Sequence, residues 1–145
     1  LDWHLLNWPT HRQLQAWLRD LNRFYASQPA LYERDHSPDG FRWIEPNDAE
    51  QSVFSYLRFA ADPDDFLVVV CNFTPVPRYD YRIGVPAPGH YQELLNSDSH
   101  FYGGGNIGNN GGLDADPRAW QGQPYSLGLT LPPLAVVILK RAADR

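Results

Sequence analysis

Apolar residues near the start of the chain recur at helical spacing. Leu14, Trp17, Leu18, Leu21, Phe24 and Tyr25 follow the i, i+3, i+4, i+7 rule, and neither Pro nor Gly interrupts His11 to Tyr25. Such a stripe predicts one amphipathic α-helix with a face that must be buried. Thr10 followed by Gln13 makes a capping box, so Thr10 is expected to be the N-cap. Pro29 ends the pattern soon after Ala26. An apolar leader, Trp3, Leu5, Leu6 and Trp8, precedes the helix. Leader and stripe cannot all pack on one face of a neighbouring layer. Trp3, Trp8 or Trp17 is therefore expected to be substantially exposed, or covered by a second copy of the chain.

After residue 40 the period changes to two. Phe41 to Glu45, Ser52 to Phe59, Phe66 to Phe73, Tyr79 to Val85, Tyr91 to Leu95, Tyr125 to Leu131 and Leu134 to Arg141 read as strands. Clusters such as Ala61-Asp62-Pro63-Asp64-Asp65, Thr74-Pro75-Val76-Pro77 and Pro86-Ala87-Pro88-Gly89 read as turns between them. Phe66 to Cys71 is apolar throughout, which suits a central strand covered on both faces. Short strands with no helices between them predict an antiparallel arrangement. The fold expected is mainly β: an antiparallel β-sandwich preceded by one amphipathic α-helix.

The chain's 145 residues suffice for one hydrophobic core. Apolar runs do not exceed six residues, so no membrane partner is expected. A net charge of −5 supplies no basic field for nucleic acid. The single cysteine, Cys71, makes no internal disulfide, which fits a reducing compartment without establishing one, and a cytoplasmic location is expected. The chain has no methionine and opens on Leu1 without a basic leader, so it is expected to be a piece of a longer protein.

Local motifs supply little chemistry. Gly103-Gly104-Gly105-Asn106-Ile107-Gly108 satisfies G-x-G-x-x-G, but no helical period follows it, as dinucleotide binding requires. A loop is expected there, mobile because only Tyr102 and Ile107 offer apolar anchorage. Asn72-Phe73-Thr74 matches a glycosylation sequon, but Pro75 follows it and a strand end entering a turn is expected. His4, His11, His36, His90 and His100 lack metal-ligand spacing, so neither metal nor cofactor is expected. No serine lies in G-x-S-x-G, and no carboxylate pair is marked for glycosidic chemistry.

Aromatic residues make up 14% of the chain. Sugars stack their apolar faces on flat rings while amides and carboxylates take their hydroxyls. Trp43, Tyr56, Tyr79, Tyr81, Tyr91 and Tyr125 fall among the strands and are expected mostly to pack there. The loop-borne Tyr102 and Trp120 are the expected exposed platforms for a sugar.

Several stretches together carry a family pattern. They include Leu1-Asp2-Trp3-His4-Leu5-Leu6, Gly40-Phe41-Arg42-Trp43-Ile44, Val70-Cys71-Asn72-Phe73-Thr74-Pro75-Val76-Pro77-Arg78 and Glu93-Leu94-Leu95-Asn96-Ser97-Asp98. Tyr102-Gly103-Gly104-Gly105-Asn106 and Leu129-Thr130-Leu131-Pro132-Pro133-Leu134-Ala135 continue it in order. In these the chain resembles the C-terminal region of bacterial glycogen branching enzymes, of the α-amylase superfamily. The resemblance implies that residues 1–35 are the end of a catalytic (β/α)₈ barrel and residues 36–145 a C-terminal β-domain. It implies a parent enzyme that transfers α-1,4-glucan segments to a 6-hydroxyl, forming α-1,6 branches in glycogen biosynthesis. The catalytic carboxylates would lie upstream of Leu1, so no residue here is expected to be catalytic and the piece alone is expected to be inactive. Its expected partners are the missing barrel, α-1,4-glucan through the parent enzyme, and further copies of itself. It would serve as a structural domain or, alternatively, as a non-catalytic glucan-binding module.

Overall fold

The computed structural model describes residues 2–143. A short 3₁₀ turn at Trp3–Asn7 leads into one α-helix, α1 (Pro9–Ser27). Eight strands follow among the described residues: β1 (Phe41–Asp48), β2 (Val53–Phe59), β3 (Phe66–Asn72), β4 (Arg78–Val85), β5 (His90–Asn96), β6 (Gly112–Asp114), β7 (Tyr125–Leu131) and β8 (Ala135–Arg141). Six form one sheet in the order β1-β2-β3-β8-β5-β6, and β4 pairs with β7 as a second layer. Every strand pair is antiparallel. The expected β-sandwich with a leading helix is the architecture found. No helix among the described residues is long and apolar enough to cross a membrane.

Helix α1 begins differently from the expectation. Trp8 is the N-cap, Pro9 is the first helical residue, and no side chain caps the end. Proline has no N–H to satisfy and presets the helical φ, so the helix starts before Thr10, which lies within the first turn.

Strand β3 explains the placement of both cores. Its unbroken pairing runs from Phe59↔Phe66 to Val53↔Asn72 on one side and from Leu67↔Lys140 to Asn72↔Ala135 on the other. Phe66, Val68 and Val70 face β4 and β7, where Ile83, Leu127, Leu129 and Leu131 are also buried. Leu67 and Val69 face the opposite way, with Ile138, Leu95 and the fully buried Ala30, against Trp17, Leu21 and Phe24 of α1. An apolar run without alternation is what a strand buried on both faces requires.

The helix stripe is split in two by this packing. Trp17, Leu21 and Phe24 reach the sheet, whereas Leu14 and Leu18 remain exposed. Trp3 is 67% and Trp8 62% exposed, so of the three tryptophans Trp17 alone has a place against the sheet.

The glycine-rich loop is held by polar groups, not only by Tyr102 and Ile107. The Asp98 carboxylate accepts the N–H of Gly105 at 2.9 Å and of Ile107 at 3.0 Å. Asn109 Nδ2 donates to Glu93 at 2.7 Å and to the Thr130 carbonyl at 3.1 Å. Its Oδ1 accepts the Thr130 N–H at 2.8 Å, so one side chain extends the pairing of β7 as a strand residue would.

Candidate functional site

Strand β4 builds the site through an irregularity. Arg78 pairs with Leu131 and Tyr81 with Leu129, so three steps on β4 match two on β7. A β-bulge of this kind re-aims side chains. Here Asp80 takes the left-handed region at φ 52°. Arg78 and Tyr81 thereby share the inward side of β4, and Tyr79 is left 70% exposed. In a regular strand Tyr79 and Tyr81 would share a face.

Beneath the bulge lies a polar network. The Tyr81 hydroxyl donates to Asp48 Oδ2 at 2.5 Å. Burial, reinforced by the neighbouring Asp48 carboxylate, holds the Tyr81 phenol above its ordinary pKa, so it remains a donor. Asp48 also accepts the backbone and side-chain N–H groups of Gln51, each at 3.2 Å. Arg78 donates to the Gln51 carbonyl at 3.4 Å, while its buried Nε has no partner. Arg82 bridges Asp116 at 2.7 Å and Ser126 at 2.8 Å.

The facing wall is the turn closed by mutual backbone bonds of Trp120 and Gln123, at 3.0 and 2.9 Å. Gln121 Oε1 accepts the Gly84 N–H at 3.0 Å, which seats this turn on β4. The Arg118 guanidinium stands 5.2 Å from the centre of the Trp120 ring. Between bulge and turn is an open cleft of about 620 Å³ lined by Asp48, Arg78, Tyr79, Arg118, Trp120 and Gln121 among others.

The two expected platforms are not brought together. Trp120 lies at the cleft on the β4–β7 layer. Tyr102 is half-buried on the other side of the large sheet, edge-on to Trp17 at 5.0 Å, with its hydroxyl donating to Asp20 at 3.1 Å. Burial, then the Asp20 carboxylate, raises the Tyr102 pKa. Tyr102 thus docks α1 to its neighbouring loop. Tyr79, counted at the sequence level among the packing aromatics, proves the exposed ring at the cleft, and the bulge that frees it had no sequence signature.

A second feature is an aromatic ladder on the outer face of β1 and β2, beside α1. Phe41 stacks on Tyr56 at 5.1 Å, Trp43 meets Phe41 edge-on at 4.9 Å, and Phe54 meets Phe73 at 5.5 Å. Phe41, Trp43, Phe54 and Phe73 are all exposed. Among the described residues, no group of three or more His, Cys, Asp or Glu is placed to hold a metal ion.

Residues 43–142, from within β1 to just past β8, match the family described as alpha amylase, C-terminal all-beta domain. The chain belongs to this family. All the cleft residues lie within the span that matches the alpha-amylase C-terminal all-beta domain. Relatives extend the likeness over α1 as well. The chain is 51% identical over 140 residues to the 1,4-alpha-glucan branching enzyme GlgB of Aquifex aeolicus, covering 97% of this chain and 22% of that protein. It is 52% identical over all 145 residues to the enzyme of the same name from Gloeobacter violaceus, of which it covers 20%. The chain therefore spans about a fifth of the length of the curated relatives it matches.

Proposed function

We propose that this chain is the C-terminal part of a 1,4-α-glucan branching enzyme, with residues 1–35 closing its catalytic barrel and residues 36–145 forming its β-domain. The observation that carries this is identity of about half across 97% or more of the chain to proteins of that name. In such an enzyme a segment of α-1,4-glucan is moved to a 6-hydroxyl. A retaining transfer needs two carboxyl groups about 5–5.5 Å apart across the sugar, and they belong to the barrel. The role of this chain is then structural. Its exposed Leu14, Leu18, Trp3 and aromatic ladder are the face that the barrel covers. A cytoplasmic site follows from glycogen synthesis and suits Cys71, a free thiol.

Two outcomes test this. The purified chain is expected to leave the iodine absorbance of amylose unchanged, whereas a longer protein carrying the preceding barrel lowers it. Reproducible branching by the chain alone would overturn the assignment. In sedimentation the isolated chain is expected to form concentration-dependent dimers through the uncovered face, weakened by Leu18→Glu. A strict monomer at high concentration would remove the argument from that face.

A further inference from the structure

We propose that the cleft between the β4 bulge and the Trp120–Gln123 turn is an accessory binding site for an α-1,4-linked glucan chain, with Tyr79 and Trp120 as its stacking platforms.

The rings come first. Tyr79 is 70% exposed on a backbone held out by the left-handed Asp80, and Trp120 is 38% exposed on the opposite wall. Strained backbone persists where its surroundings over-determine it, and it clusters at ligand sites. Arg118 lies over the Trp120 ring at 5.2 Å, which orients the indole without burying it.

The polar groups between the rings suit hydroxyls. Asp80, Arg78 and Arg118 offer planar, two-pronged donors and acceptors at the cleft, while Asp48 and Gln121 Oε1 are already engaged by Tyr81, Gln51 and Gly84. Vicinal sugar hydroxyls match such forks. Charge then selects among ligands. The cleft lining carries the guanidinium groups of Arg78, Arg82 and Arg118 and the carboxylates of Asp48 and Asp80, and Arg82 is paired with Asp116 at 2.7 Å. A balanced cleft favours a neutral polyhydroxylated ligand over a phosphate. At about 620 Å³ the cleft is within the size range of ligand sites. Being open to solvent, it suits a segment of a long chain better than a small enclosed molecule. The sugar class rests on this geometry, and the α-1,4 linkage rests on the branching-enzyme proposal.

The test is affinity electrophoresis of this chain in gels containing glycogen, with titration by maltoheptaose and cellohexaose. Glycogen and maltoheptaose are expected to bind, and Tyr79→Ala or Trp120→Ala to weaken each by about tenfold. Phe73→Ala, an exposed ring on the other face, serves as control and should bind as before. Near-ultraviolet circular dichroism of each variant reports that its fold is intact. Absence of binding to any of the three glucans overturns the site, and so does binding that neither cleft variant alters. Equal binding of cellohexaose, lost in the same variants, overturns the α-glucan assignment while the cleft remains a sugar site. None of these outcomes touches the branching-enzyme proposal itself, which stands or falls on the iodine assay.

Discussion

Replacing Asn72 with alanine is expected to lower the unfolding free energy by about 2–4 kcal/mol. Asn72 ends β3 and is 2% exposed. Its Nδ2 donates to the carbonyls of Val76 at 2.9 Å and Pro132 at 3.0 Å. Its Oδ1 accepts from the Thr74 N–H at 3.1 Å and the Thr74 hydroxyl at 2.8 Å. These bonds tie the β3–β4 connection to the β7–β8 connection. Pro75, Pro77, Pro132 and Pro133 populate both and have no N–H, so the connections depend on a side chain for donors. Alanine leaves the Pro132 carbonyl and the Thr74 N–H without their partner, leaves the Val76 carbonyl only the Thr74 hydroxyl at 3.4 Å, and opens a small void. Asn72→Asp keeps the shape but loses both donors, and a comparable loss is expected. Urea unfolding followed by circular dichroism measures both. A change below about 0.5 kcal/mol would show that water replaces the amide at no cost. The Asn72-Phe73-Thr74 sequon is thus a strand end entering a turn, its amide buried and its nitrogen engaged.

Gly84→Ala is expected to unseat the Trp120–Gln123 turn and to destabilise by about 1–3 kcal/mol. A Cβ at residue 84 would stand 2.1 Å from the Trp120 carbonyl oxygen and 2.9 Å from the Gln123 side chain. The first is a backbone atom of a turn closed by its own hydrogen bonds, so it cannot swing aside as a flexible side chain does. Relief comes by lifting the turn, which also breaks the bond from the Gly84 N–H to Gln121. Trp120 then leaves the cleft. Glucan affinity is expected to fall about as far as in Trp120→Ala, although Gly84 is buried in β4 and is no part of the cleft wall. Urea unfolding and a red shift of tryptophan emission report the two effects. Unchanged stability and emission would mean that the turn does not rest on β4.

Periodicity alone determined the helix, the principal strands and the central place of β3, because side-chain direction repeats every 3.6 residues in a helix and every two in a strand. Proline and acidic clusters marked most of the turns for the same local reason: they restrict φ or bond their own backbone. Local pattern could not show β6, whose Gly112-Leu113-Asp114 follows a run of glycine and asparagine and becomes a strand only by pairing with β5. Nor could it tell which part of the α1 stripe meets the sheet. A stripe's width is a property of the helix, but its direction depends on Leu67, Val69 and Ile138, which lie far along the chain. The two platform residues differ on the same ground. Tyr102 is drawn in by Trp17 and by Asp20, 82 residues away, while Tyr79 is freed by a bulge against β7. The anchors of the glycine-rich loop are also distant partners, as Asn109 and Thr130 show. Propensity acts between near neighbours, whereas exposure, register and hydrogen-bond partnership are settled by which remote segments the tertiary fold places side by side.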